Sequence, residues 1–115
     1  MPRGRRAVSD DLTRLRRSCI ETARALVNRQ ADAWRDATCL AVSISDPLVG
    51  TPLSKEHFAA GDALMRALFG PGRRPVVERL LDCARTLSSS AHDRLDVDAQ
   101  AVEICARLAE DERRW

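Results

Sequence analysis

The chain has 115 residues, 44% hydrophobic and only 3% aromatic, with 19 Lys and Arg against 17 Asp and Glu and a formal net charge of +2. That length fits one domain, and a core so poor in aromatics must come from Leu, Val, Ile and Ala, of which Leu and Ala suit helices. No run of about 18 apolar residues is present to span a membrane. The basic start Met1-Pro2-Arg3-Gly4-Arg5-Arg6 lacks the apolar stretch of a secretory signal; a cytoplasmic, reducing location with free thiols is the expectation.

Residues 1–8 read as a short flexible basic arm, and residues 9–115 as a single α-helical domain. Ser9 or Asp10 is a plausible N-cap, with Asp10 and Asp11 near the positive end of the helix that follows. No Gly or Pro then occurs before Pro47. Apolar residues recur every three or four positions at Leu12, Leu15, Cys19, Ala23, Leu26, Trp34, Ala37, Ala41 and Ile44, with Gln30 as a polar exception. At 100° per residue they fall in an arc about 100° wide. A continuous helix of about 35 residues would be about 50 Å long, against a compact domain about 35 Å across. The helix therefore either breaks or projects beyond its bundle.

Asp46 to Pro52, with two Pro and one Gly, reads as a loop. Thr51 with Pro52, or Ser54, starts a second helix with an apolar side of Leu53, His57, Ala60, Leu64 and Leu68. Gly70-Pro71 stops it. Pro75 opens a third, carrying Val76, Val77, Leu80, Leu81, Ala84 and Leu87. Ser88-Ser89-Ser90 marks its end, although Ala91 and Leu95 keep the period and could extend it. Asp96 or Asp98 caps a last helix with Val97, Ala101, Ile104, Cys105 and Leu108. The fold predicted is all-α: a four-helix bundle-like domain with a long first helix and three shorter ones.

The charge is uneven: residues 1–35 hold nine Arg against four acids, residues 36–115 ten Lys and Arg against thirteen acids, and Arg outnumbers Lys 18 to 1. An Arg excess can reflect a GC-rich genome or recognition of phosphate, which suits the guanidinium fork. Arg17, Arg24 and Arg35 align within about 20° on the first helix and Arg14 lies about 60° further round. They form either a phosphate-contacting stripe or a solvated face neutralised by Glu21, Asp32 and Asp36. Arg16 falls among the apolar positions and reads as a snorkelling or interface residue. Arg73 and Arg74 immediately precede a helix N-terminus, a position that attracts anions; the Gly-Lys-Ser/Thr ending of a P-loop is missing.

Pro2-Arg3-Gly4-Arg5-Arg6 resembles the core of an AT-hook, Pro-Arg-Gly-Arg-Pro, with Arg6 where that motif has its second Pro. The resemblance implies minor-groove contact by Arg3 and Arg5. Non-specific backbone contact by Arg3, Arg5 and Arg6 is the alternative. Cys19, Cys39, Cys83 and Cys105 form no Cys-x-x-Cys pair and read as small core residues. His57 and His92 have no metal-ligand partner four residues on. No catalytic constellation, cofactor or metal site is legible.

These features point to a non-catalytic helical subunit of a nucleoprotein assembly. It would touch protein partners and an RNA or DNA backbone through Arg3, Arg5, Arg6, Arg14, Arg17, Arg24, Arg35, Arg73 and Arg74. In size, helicity and basic front the chain resembles the small α-helical subunits of multi-subunit CRISPR effector complexes. That resemblance implies holding guide and target strands through basic surfaces. The alternatives are a protein–protein adaptor or self-associating bundle, and a small DNA-binding regulator using the arm.

Overall fold

The computed structural model describes residues 2–45, 55–87 and 91–113, with side chains described except at 2–11, 91, 93 and 113. All regular structure among them is helical: α1 (Pro2–Val27), α2 (Ala33–Ser45), α3 (Lys55–Phe69), α4 (Arg74–Leu87) and α5 (Ala91–Arg113). The all-α expectation holds, but there are five helices, not four. The predicted first helix is two. The last begins at Ala91, before either predicted cap, so Ala91 and Leu95 belong to it and not to the helix before Ser88. Helix α1 opens at Pro2, inside the stretch read as an arm; Pro fits a first helical turn because its missing N–H has no partner to lose there.

Helix α1 ends in a tight cap. The Gln30 N–H donates to the Ala25 carbonyl (2.9 Å), the Arg29 N–H donates to the Leu26 carbonyl (3.2 Å), and Arg29 takes a left-handed φ of 59°. This is the Schellman geometry, usually built on Gly. Here Arg29 fills the left-handed position at a steric cost of about 1–2 kcal/mol. The chain reverses, and α2 begins with the Asp36 N–H donating to the Asp32 carbonyl (2.9 Å). Gln30, the polar exception in the apolar spacing, lies in the break. At the other marked boundary, the turn after α3 uses Gly72 at φ 97°, and Pro75 sits in the first turn of α4.

In packing, α1 meets α2, α2 meets α3, α3 meets α4, and α4 returns to α1, while α5 lies across α1 and α4. The core is aliphatic, as the composition required. Cys19, Ile20, Ala23 and Leu26 of α1 pack with Val76, Val77, Leu80, Leu81, Ala84 and Leu87 of α4 in one buried cluster. Each fully buried Leu or Val contributes about 1.5–3 kcal/mol. Helix α2 buries Ala33, Ala37, Ala41 and Ile44, so Trp34 lies off the seam and is 40% exposed.

Helices α2 and α3 approach at Gly61, where an added Cβ would lie 2.8 Å from the Ser45 backbone nitrogen. The radius of gyration is 14.1 Å and the extents are 53 × 29 × 23 Å, an elongated body. Among the described residues no helix is long and apolar enough to cross a membrane.

Candidate functional site

The arginines divide by the company they keep. Arg24 on α1 reaches Glu103 on α5 at 3.4 Å, and Arg35 sits 3.6 Å from Asp32. Arg73 lies 3.4 Å from Asp111, and Arg74 lies 3.1 Å from Glu78 and 3.6 Å from Glu112. Four of the predicted phosphate contacts are therefore already beside carboxylates. Arg14 and Arg17 are exposed on α1, with no carboxylate partner among the described residues. The side chains of Arg3, Arg5 and Arg6 lie outside the described residues.

Three arginines outside that predicted set serve the same internal purpose. Arg16, read as a snorkelling or interface residue, is instead buried in the fold, and its guanidinium lies 3.8 Å from Asp96 on α5. Arg85 on α4 donates through Nε to Asp98 at 2.8 Å and also pairs with Asp82. Arg29, in the α1–α2 turn, sits 3.2 Å from Asp111. Asp111, with its side chain 22% exposed, thus receives Arg29 from one turn and Arg73 from another. The basic front of the chain and its acidic end are complementary halves of one molecule, joined along α5. Sequence spacing could not reveal this, because the partners are far apart along the chain, as with Arg24 and Glu103, 79 positions apart.

The cysteines also divide. Cys19 and Cys83 are buried, as expected, whereas Cys39 and Cys105 are exposed, contrary to their reading as core residues. Burial pushes both interior thiols up, Cys83 to about 12 with the nearby Asp82 charge adding to the effect. The Cys83 thiol donates to the Ala60 carbonyl at 3.4 Å. A thiol held protonated in this way is the opposite of an activated nucleophile. His57 is half-buried, its Nε2 3.1 Å from the Thr86 carbonyl oxygen, which ties α3 to α4. Among the described residues no group of three or more His, Cys, Asp or Glu could hold a metal ion.

The large side chains left outside the core are the remaining candidates. Phe69 is 83% exposed, Val102 72%, Leu95 69%, Val42 55% and Phe58 53%. Beside Trp34, a cavity of about 580 Å³ is lined by Pro71, Pro75 and Leu108, with Arg73, Arg74 and Asp111 around them. It sits where the α3–α4 turn meets the end of α5. Comparison of the chain with protein-family models, with curated proteins and with solved structures returned no match.

Proposed function

We propose that this chain is a helical subunit whose work is to bind other protein chains within a larger assembly, without catalysis of its own. The carrying observation is the placement of the aromatics. Every described one, Trp34, Phe58 and Phe69, lies outside an otherwise aliphatic core, at 40% exposure or more. Aromatic side chains are the costliest apolar groups to leave in water and the commonest anchors of protein interfaces. Phe69 is too exposed to contribute much to this fold, whereas Phe58 buries nearly half of its surface. Replacing both with Ser should lower the thermal melt but leave the helical fold intact at 25 °C. In extract from the native source, the wild-type chain should fractionate far above the size of a compact monomer, and the double variant should not. A wild-type chain that fractionates as a free monomer refutes the reading.

A second reading, contact with a nucleic-acid backbone, keeps one specific support. Arg14 and Arg17 are exposed and lack a carboxylate partner among the described residues. The resemblance to CRISPR small subunits attaches to this reading alone. Neutralising phosphates with these two side chains would make binding salt-dependent. Arg14→Ala with Arg17→Ala would then reduce the salt slope by about two units. An unchanged slope removes this reading and leaves the first untouched.

A further inference from the structure

Two turns of this fold are built from opposite materials. The one after α3 holds Gly70, Pro71 and Gly72, and Gly72 supplies its left-handed φ of 97°. Residues that break helices make it. The turn between α1 and α2 is Asn28-Arg29-Gln30-Ala31-Asp32. It has neither Gly nor Pro, and Arg, Gln and Ala are good helix formers. Among the described residues, Arg29 is the one residue other than Gly at a left-handed φ, 59°.

The helical register also runs on through this turn. On a continuous helix at 100° per residue, the buried Cys19, Ile20, Ala23, Leu26 and Val27 of α1 and the buried Ala33, Ala37, Ala41 and Ile44 of α2 would fall within about 140°. Both buried faces would stay on one side of a straight rod. What bends the rod is tertiary. Arg29 is held 3.2 Å from Asp111 on α5. Helix α1 is drawn back over α4 through Cys19, Ile20, Ala23 and Leu26, and over α5 through Arg24, 3.4 Å from Glu103. A second copy of the chain offers α1 the same bed.

We infer that the α1–α2 turn is a hinge and that the chain forms a symmetric dimer by exchanging α1. In the dimer α1 and α2 run through the turn as one helix, and each α1 lies on α2, α4 and α5 of the other copy. The packing of α1 is kept, and both chains lose their left-handed Arg29. Arg29 leaves Asp111, which keeps Arg73, while Asn28 to Asp32 gain helical hydrogen bonds. Short hinges under strain favour such exchange. A segment on a short connection meets its own body at an effective concentration of about 1 mM. Two hinges, each freed from a cost of about tenfold and each giving up one ion pair, bring the expected dimer dissociation constant to about 10–100 μM. This exchange goes beyond the assembly reading and does not rest on it.

The full chain, refolded from urea at concentrations on either side of that range, should sediment as a dimer above it and as a monomer below. Arg29→Gly relieves the left-handed turn and weakens a continuous helix, so it should weaken the dimer by about tenfold or more. Arg29→Ala keeps the strain, favours the helix and frees the turn from Asp111, so it should strengthen the dimer by about tenfold. Mixing separates exchange from any other pairing. Chains carrying Arg24→Glu alone or Glu103→Arg alone set like charges together, within one chain or in an exchanged dimer of their own kind. Exchange between one of each restores opposite charges at both sites. The mixed dimer should therefore form about fivefold or more tightly than either variant's own, whereas association without exchange restores neither site. A chain monomeric throughout the range, a dimer indifferent to Arg29→Gly, or no preference for the mixed pair would each overturn the inference. None of these outcomes bears on the assembly reading, which stands or falls in native extract.

Discussion

Gly61 offers the sharpest test of the packing. It lies inside α3, where Ala is ordinarily favoured over Gly by about 1 kcal/mol. An added Cβ would meet the Ser45 hydroxyl oxygen, lie 2.8 Å from the Ser45 nitrogen and 3.2 Å from the Ile44 carbonyl carbon. The hydroxyl can rotate away; the two backbone atoms move only if the last turn of α2 shifts, and Ile44, 1% exposed, anchors that turn in the core. Overpacking of this kind costs about 1–3 kcal/mol, and a clash with backbone belongs at the upper end. Gly61→Ala should therefore destabilise the fold by about 1–2 kcal/mol net, lowering the melting temperature by about 4–8 °C. Urea denaturation followed at 222 nm measures it. The control is Gly70→Ala, where an added Cβ would be 3.5 Å from the Ala67 carbonyl oxygen, an ordinary contact, and stability should hold or rise slightly. Adding Ser45→Ala to Gly61→Ala should recover only part of the loss, read against Ser45→Ala alone. A Gly61→Ala protein as stable as wild type would refute the close approach of α2 and α3.

Other expectations follow from the same contacts. A thiol-specific reagent at pH 8 should label Cys39 and Cys105 in the native protein, with Cys19 and Cys83 reacting only on unfolding. Because burial raises the folded thiol pKa, the unfolded chain loses those protons first. Stability should hold below about pH 9 and then fall by about 1.4 kcal/mol per pH unit per buried thiol, up to the folded values. The chain has no Tyr to obscure this slope, and Cys83→Ala should shallow it in alkaline urea titrations. Leu80→Ala, at a fully buried position of α4, should cost about 2–5 kcal/mol in the same assay. Asp111→Ala, which removes the carboxylate shared by Arg29 and Arg73, should cost about 1–3 kcal/mol, whereas removing the exposed Asp32 partner of Arg35 should change stability by less than about 1 kcal/mol.

Much of the helical content was legible because Gly70, Pro71 and Pro75 punctuate the chain and the apolar set of α4 repeats cleanly. The position of the break between α1 and α2 was not, although the length mismatch allowed a break, because its left-handed residue is Arg29, where Gly would have announced the cap. Moreover, Trp34 continued the three-four spacing from Leu26 while lying off the buried face of α2. The exposed apolar residues of α5 were hidden for a related reason. With Leu95 and Val102 opposite Val97 and Ile104, the helix reads as generally apolar and does not declare a side. The site was harder still. The register of Arg16 put it among the apolar positions without showing that it is buried, and nothing local distinguished Arg24 or Arg73, with distant carboxylates, from Arg14 and Arg17, exposed and without such a partner among the described residues. Ion pairing across a fold is a tertiary fact.

The place of α1 in the bundle bears on how the chain is made. Its main partner is α4, with α5 laid over both. The roughly 50 residues between Val27 and Arg74 take about 2–10 s to synthesise at ~5–20 residues/s. During that interval α1 and α2 can form a hairpin, but the α4-facing side of Cys19, Ile20, Ala23 and Leu26 has no cover, and Arg24 has no Glu103. A nascent chain paused there presents an adhesive apolar stripe edged with positive charge beside ribosomal RNA. A pause at any point before α4 has left the ribosome should therefore lower soluble yield.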